Sequence, residues 1–403
     1  MHQVQTIRKL LFITWDGPQT RYMEGLFMPI FKRITNLSNW EFHVIQFTWA
    51  PEKQTSETSA VAKKLGIHYN AYAVRRRPHP LVGSAITVFK GKAVIENYIK
   101  RHQIDIVMPR STFPAMMINM IKKRNLRLIF DADGLPLEER IEFNGLSINS
   151  KQYQFLKKQE TKMLIAAQHV ITRSQKAIDI HVEKIGEQFR SKFAVVFNGR
   201  DEVAFTPDAD ARLKRRYELR ILSSEKVFLY CGSLGNQYGW NEMLEIFDVY
   251  ASSKPAKWVI ITGDVQFAEA GIPTHLKDKI IVFTSTVADV PNYLNIADVA
   301  FALRQPSFSM QGVAPIKLGE YLLMGLPTIA SKDIGDTEDI LNNIQGCFMY
   351  DFKIGKKQIK ALMEWLNKLD AIDREQIRKQ ALPYFSINAA ANSYINVLNK
   401  LIF

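Results

Sequence analysis

Short apolar runs rich in Ile, Val and Phe recur along the chain, each followed by a longer segment whose apolar residues return every three or four positions. The first pattern suits strands buried on both faces, and the second suits amphipathic helices. In the first half the pattern predicts strands over residues 9–14, 42–47, 105–109, 126–130, 169–172 and 194–197. In the second half it predicts them over 226–231, 257–262, 279–283, 298–303, 327–330 and 346–349. Helices are expected over 22–36, 86–101, 111–124, 151–167, 175–185, 240–251 and 356–369. Strict alternation of this kind implies parallel sheets covered on both faces, here two doubly wound α/β domains in series. Ligands of such sheets bind where strands end and helices begin. A boundary is expected near Asn198-Gly199-Arg200-Asp201, before Pro207, the acidic Asp208-Ala209-Asp210 and the basic Lys214-Arg215-Arg216. The halves share no sequence repeat, and a final amphipathic segment, 387–402, follows Pro383 and Phe385.

Composition narrows the class. With 47% hydrophobic and 23% charged residues among 403, the chain reads as globular, not disordered or disulfide-stapled. Its apolar runs are strand-sized, well short of the ~20 residues that span a bilayer. The basic Arg8-Lys9 is followed by too few apolar residues for a secretory signal, so a cytoplasmic location is expected. Cys231 and Cys347 lie in strand-like segments and read as buried free thiols. The eight histidines are scattered, no His/Cys cluster has metal-ligand spacing, and no metal is expected. Neither a phosphate-loop motif nor a Gly-x-Gly-x-x-Gly fingerprint occurs, which argues against a nucleotidase or a nicotinamide oxidoreductase.

Charge divides the halves. Residues 1–200 carry 31 Lys+Arg against 16 Asp+Glu, leaving 22 against 24 for residues 201–403. The excess includes Arg75-Arg76-Arg77, Lys122-Lys123-Arg124 and Lys157-Lys158. Such a basic half suits an anionic partner, either nucleic acid or an acidic membrane leaflet, where each Lys or Arg near the surface is worth about 1 kcal/mol. A solvated basic face is the other reading.

The most informative segment is 297–331. A strand leads into the polar loop Arg304-Gln305-Pro306-Ser307-Phe308-Ser309-Met310-Gln311-Gly312, and a helix is expected to open at Pro315. Its free N–H groups and positive dipole end form a seat for phosphate. Lys317 and Glu320 project from one face, the lysine toward the anion and the carboxylate suited to two vicinal hydroxyls such as a ribose presents. An ordinary helix carrying an i,i+3 Lys–Glu pair reads equally well. In the first half, Asp16-Gly17-Pro18 follows a strand, where Gly17 permits either close approach of a substrate or a tight turn. Arg110 follows another strand and suits a phosphate clamp. Thr262-Gly263-Asp264 and Phe283-Thr284-Ser285 also end strands, where simple turns are an alternative.

Pro315-Ile316-Lys317-Leu318-Gly319-Glu320-Tyr321 through Gly325-Leu326-Pro327-Thr328-Ile329-Ala330-Ser331 closely resembles the donor-binding helix and following strand of the retaining GT-B glycosyltransferases of family 4, also called group 1. Ala297-Asp298-Val299 and Phe197-Asn198-Gly199-Arg200-Asp201 with Phe205-x-Pro207 resemble further segments of that family. Asp131-Ala132-Asp133-Gly134 with Glu138-Glu139-Arg140 is similar to a subgroup associated with bacterial surface polysaccharides.

The resemblance implies two Rossmann-like domains facing across a cleft: 1–205 binding the acceptor, 206–385 binding a nucleotide-sugar, and 386–403 returning as a helix to the first domain. It implies a metal-independent, retaining transfer to a lipid-linked glycan, with the protein peripheral on the inner face of the plasma membrane. Glu320 would hold the ribose; Lys317 and Arg304 the diphosphate; Gly232, Ser233, Gly235, Gly263 and Thr284 the rest of the donor. Asp16, Gly17, Arg110 and Asp133 would meet the acceptor, with Asp133, Lys317 and Glu320 the catalytic set. The sequence departs from the family at Gly312, where many members have Glu, and at Ser233 and Tyr238, where the usual diphosphate cations are replaced. Asp131-x-Asp133 also imitates the metal-binding carboxylate pair of the GT-A fold. Other readings are a non-catalytic GT-B scaffold, a nucleotide-sugar epimerase and a basic nucleic-acid-binding protein.

Overall fold

The structure, a computed structural model, describes residues 7–121, 126–235 and 237–401. Lys122-Lys123-Arg124, Asn236 and the end of the final segment lie outside the described residues. Contacts divide the chain into two units, Met1–Phe197 with Ala390–Phe403, and Asn198–Ala389.

The first unit holds a parallel sheet of β1 (Arg8–Asp16), β2 (Trp40–Thr48), β3 (His68–Ala73), β4 (Ile106–Pro109), β5 (Arg127–Asp133), β6 (His169–Thr172) and β7 (Phe193–Val195). Their spatial order is β3-β2-β1-β4-β5-β6-β7. The second holds β8 (Lys226–Cys231), β9 (Ala256–Ile261), β10 (Ile280–Phe283), β11 (Val299–Ala302), β12 (Thr328–Ser331) and β13 (Cys347–Tyr350), in the order β10-β9-β8-β11-β12-β13. Both orders reverse direction beside the unit's first strand, at β1/β4 and at β8/β11. The crevice beyond the carboxyl ends of those strands is where a doubly wound sheet receives ligands.

The central strands are apolar and buried without interruption, as Leu10 to Ile13 and Val227 to Tyr230 show, because helices cover both faces. Twelve of the thirteen strands fall on the runs that the pattern marks. The exception is β3, an edge strand whose residues are all exposed or half-buried, so nothing in its sequence has to be apolar. The helix Glu52–Leu65 lacks a signal for the same reason, burying only Thr58 and Ala62. The expected 22–36 helix opens as a π-helical turn, Met23–Phe27, before Met28–Leu37. The 111–124 helix is shorter than expected, Thr112–Asn119. Cys231 is a buried free thiol, and Cys347 is a free thiol only partly covered.

The helix Ile316–Leu323 starts one residue later than expected, with Pro315 as its cap. It ends in a Schellman motif, with the Leu326 N–H donating to the Tyr321 carbonyl (2.9 Å) and the Gly325 N–H to that of Leu322 (3.0 Å). Gly325 has φ +64°, and a Cβ there would meet the Arg374 carbonyl oxygen at 2.4 Å. The glycine of the Gly-Leu-Pro sequence is thus a helix terminator that feeds β12. Gly325→Ala is expected to lower stability by about 1–3 kcal/mol, measured as a shift in the urea midpoint at unchanged m-value.

Candidate functional site

At the β1/β4 reversal of the first unit, three carboxylates and two guanidiniums converge. Asp16 is the last residue of β1 and Arg110 follows β4, while Asp131 and Asp133 sit at the end of β5 across a register irregularity. Arg110 Nη2 donates to Asp133 Oδ2 at 2.6 Å, and Arg110 Nη1 approaches Asp16 Oδ1 at 3.8 Å. Arg173 Nη2 donates to Asp131 Oδ2 at 2.8 Å, and Arg173 Nε lies 3.6 Å from Asp133 Oδ1. Asp133 adopts φ +66°, and its N–H donates to Asp131 Oδ1 (3.0 Å), a backbone shape that aspartate tolerates better than most residues. Burial pushes the Asp131 carboxyl up. At Asp133 burial acts the same way, but Arg110 and Arg173 outweigh it and hold the carboxyl below its usual range. Asp133 is therefore an ionised acceptor of hydrogen bonds and a weak base.

The two arginines occupy the place where a cation would sit against Asp131 and Asp133, which contradicts the metal-pair reading of that motif. Gly17 is explained by packing: a Cβ there would meet the Trp49 ring at 2.4 Å. Sequence reasoning missed Arg173, on the loop after β6, and Tyr394, a buried phenol from the C-terminal segment pushed up by burial beside Arg173 and Asp131. Lys157 corrects an expectation. It is buried and bridges Glu138 (2.8 Å) and Glu160 (2.5 Å), so it belongs to the interior and not to the basic face.

At the β8/β11 reversal of the second unit the charge is answered differently. Lys317 Nζ donates to the Tyr230 hydroxyl at 2.6 Å and lies 4.1 Å and 4.5 Å from the ring centres of Tyr230 and Tyr238. Arg304, just past β11, places its guanidinium 5.0 Å from the centre of the Tyr238 ring, while its Nε is buried without a hydrogen-bond partner. Among the described residues no carboxylate lies within 4.0 Å of either cation. Burial, then repulsion from Arg304, pushes Lys317 down to about 7. Each cation–π contact contributes about 0.5–2 kcal/mol, less than an ionic partner at the same distance would.

Gly232 lets the lysine through, since a Cβ there would meet Lys317 Nζ at 2.7 Å. Gly235 (φ +145°) and Gly263 open onto unfilled space. Ser233 and Thr284 are exposed, past the ends of β8 and β10, and Asp264 accepts from the Leu234 N–H at 2.8 Å, bracing the glycine loop. The expected Lys–Glu pair does not form. Glu320 pairs instead with Arg200, whose guanidinium lies over Phe205 at 5.3 Å. Tyr230 and Arg200 were not foreseen as site residues, although the Asn-Gly-Arg-Asp turn was visible.

Residues 225–368 match the family described as Glycosyl transferases group 1. The match spans β8 through the helix Ile359–Leu366 and so contains Arg304, Lys317 and Glu320. No curated protein sequence matches the chain significantly. Among solved structures, a glycosyltransferase from Rickettsia africae superposes with a TM-score of 0.70 at 14% identity, over 98% of this chain and 99% of that one. Anabaena HepE in complex with UDP and glucose gives a TM-score of 0.70 at 14% identity, over 98% and 100%. The lipopolysaccharide outer core galactosyltransferase WaaB gives 0.64 at 16% identity, over 98% and 99%. The fold is GT-B.

Arg110→Ala would leave three carboxylates around Arg173 alone. A loss of about 3–5 kcal/mol is expected, read from chemical denaturation.

Proposed function

We propose that the chain is a retaining glycosyltransferase of family 4 that moves a sugar from a nucleotide-sugar to a lipid-linked glycan in bacterial surface-polysaccharide assembly. The observation that carries this reading is the pair of cations, Lys317 and Arg304, set against tyrosine rings with no carboxylate within 4.0 Å of either among the described residues. A diphosphate supplies the missing negative charge. The N–H groups at the start of the helix Ile316–Leu323 add to the same field. Glu320, held at Oε1 by Arg200, accepts the ribose hydroxyls through Oε2.

In the proposed reaction the C1–O bond to the diphosphate breaks while the acceptor oxygen bonds to C1 on the same face. The acceptor proton passes to the departing diphosphate oxygen. Lys317 and Arg304 stabilise the charge on that leaving group, so the step requires no metal. Asp133, kept ionised by Arg110, orients a sugar or acceptor hydroxyl, with Asp16 and Arg110 beside it.

The first unit supports the membrane part of the proposal. Arg75, Arg76 and Arg77 are exposed just before the helix Pro80–His102, which also exposes Leu81, Val82 and, at 70%, Phe89. Cations beside exposed apolar side chains suit the headgroup region of an anionic leaflet.

UDP-, GDP- and other nucleotide-sugars, assayed by nucleotide release with and without a lipid-linked acceptor, test the assignment. Release only with acceptor supports transfer, and an altered sugar freed without acceptor indicates an epimerase. Silence toward every donor, with or without nucleic-acid binding, would overturn it. Glu320→Ala is expected to abolish donor binding. A diphosphate favours the lysine's ammonium form, so UDP affinity should be level below about pH 7 and fall as the pH rises above it. Lys317→Met should bind weakly with no such slope, as titration calorimetry would show.

Acidic liposomes should capture the protein in a salt-sensitive way. Replacing Arg75, Arg76 and Arg77 together by Gln is expected to cost about 3 kcal/mol, on the order of a hundredfold in binding. Indifference to lipid charge would remove the membrane part and leave the donor assignment standing.

A further inference from the structure

The fold gathers side chains that look scattered in the sequence. Glu41 and His43 stand two residues apart on β2 and so share a face, and His68, the first residue of β3, is the register partner of His43. All three lie at the amino end of the first sheet, since β1 and β2 run in register from Arg8↔Trp40 to Asp16↔Thr48. Asp16 and its neighbours therefore occupy the other end. Tyr98 and His102 come from the last turns of the helix Pro80–His102, which covers this face.

Glu41 Oε1 lies 2.8 Å from His43 Nε2 and 3.4 Å from His68 Nε2, and the three donor atoms fall within 4.8 Å of one another. The His43 and His68 rings stack at 4.4 Å, and the His102 ring lies 5.4 Å from that of His43. His43 is buried and its Nδ1 is 2.9 Å from the Tyr98 hydroxyl, to which Asn70 donates at 3.5 Å. That contact fixes the imidazole plane and leaves Nε2 pointing at Glu41.

We propose that Glu41, His43 and His68 bind one divalent transition-metal ion, zinc in the first instance, at a site separate from both ligand edges. Zinc bonds nitrogen and carboxylate oxygen at about 2.0–2.2 Å, which places tetrahedral ligand atoms about 3.3–3.5 Å apart. The 3.4 Å from Glu41 to His68 already matches that spacing, and the 2.8 Å to His43 is shorter, as a direct hydrogen bond is. His68, with 57% of its side chain exposed, is free to turn out of the stack to close the set. Two imidazoles with one carboxylate select zinc, cobalt or nickel over magnesium and calcium, which take oxygen ligands. The Tyr98 hydroxyl on the other nitrogen of His43 is the outer partner that a ligating imidazole ordinarily has. The ion would clip edge strand β3 to β2 through side chains as well as through the backbone ladder.

The test uses the untagged full chain stripped with EDTA. Zinc calorimetry should give one equivalent, and cobalt should develop the visible absorption of a tetrahedral nitrogen/oxygen site. His68→Gln and Glu41→Gln should each weaken zinc binding at least about tenfold, with each variant's metal-free melting temperature measured so that lost ligation is distinguished from lost stability. Tyr98→Phe should weaken binding and keep the stoichiometry. His275→Gln, which removes an exposed histidine paired with Asp248, should change nothing. Absence of a stoichiometric ion, or equal affinity in His68→Gln, Glu41→Gln and the parent chain, would overturn the proposal whatever the outcome of the donor assays.

Discussion

A cation taken out of water at the carboxyl end of a parallel sheet must be answered within a few ångströms, and the two units answer in opposite ways. In the first, Arg110 and Arg173 meet Asp16, Asp131 and Asp133, so the charge is satisfied internally and the edge is rigid. In the second, Lys317 and Arg304 meet the rings of Tyr230 and Tyr238 and the Tyr230 hydroxyl, with no carboxylate within 4.0 Å among the described residues. Ring quadrupoles stabilise a desolvated cation only partly, and burial together with repulsion from Arg304 pushes Lys317 down. An edge left short of negative charge favours an anion, whereas an edge whose charges are paired internally has less to gain from one.

The same reasoning bears on the unusual glycine loop. Ser233 and Tyr238 stand where the family resemblance leads one to expect cations. Tyr238 does not simply delete a charge: its ring lies within cation–π distance of both the Arg304 guanidinium (5.0 Å) and Lys317 Nζ (4.5 Å). Two positive groups that would otherwise repel each other across this short distance are held together by a shared aromatic surface. Gly232 is required for this, because any side chain there would displace the lysine.

The alternation of buried runs and amphipathic segments made the order of strands and the two doubly wound sheets legible, because the central strands must be apolar on both faces. Edge strand β3 was not legible, since an exposed strand carries no apolar signature. Among site residues, those tied to a local motif were readable: Lys317 and Glu320 from the helix start, Asp133 and Arg110 from strand ends. Their partners were not. Arg200 on Glu320, Tyr230 under Lys317 and Arg173 on Asp131 lie 120, 87 and 42 residues from what they touch, and only register brings them together.

Histidines at positions 43 and 68 look unrelated because the link between them is strand pairing, which has no sequence spacing. Glu41 and His43 were two apart on an apolar strand, a place where polar residues on a covered face call for an explanation. An edge strand with little apolar burial gains least from the hydrophobic effect and so has most to gain from a bond across the ladder. Conversely, polar side chains under the helix Pro80–His102 would weaken that packing unless something joined them. Glu41 bridging two imidazoles does so without metal; an ion would do so with directed bonds in place of shared protons. The polar cluster and the exposed strand are thus one feature of the fold, with the histidines present because β3 cannot be held by its own side chains.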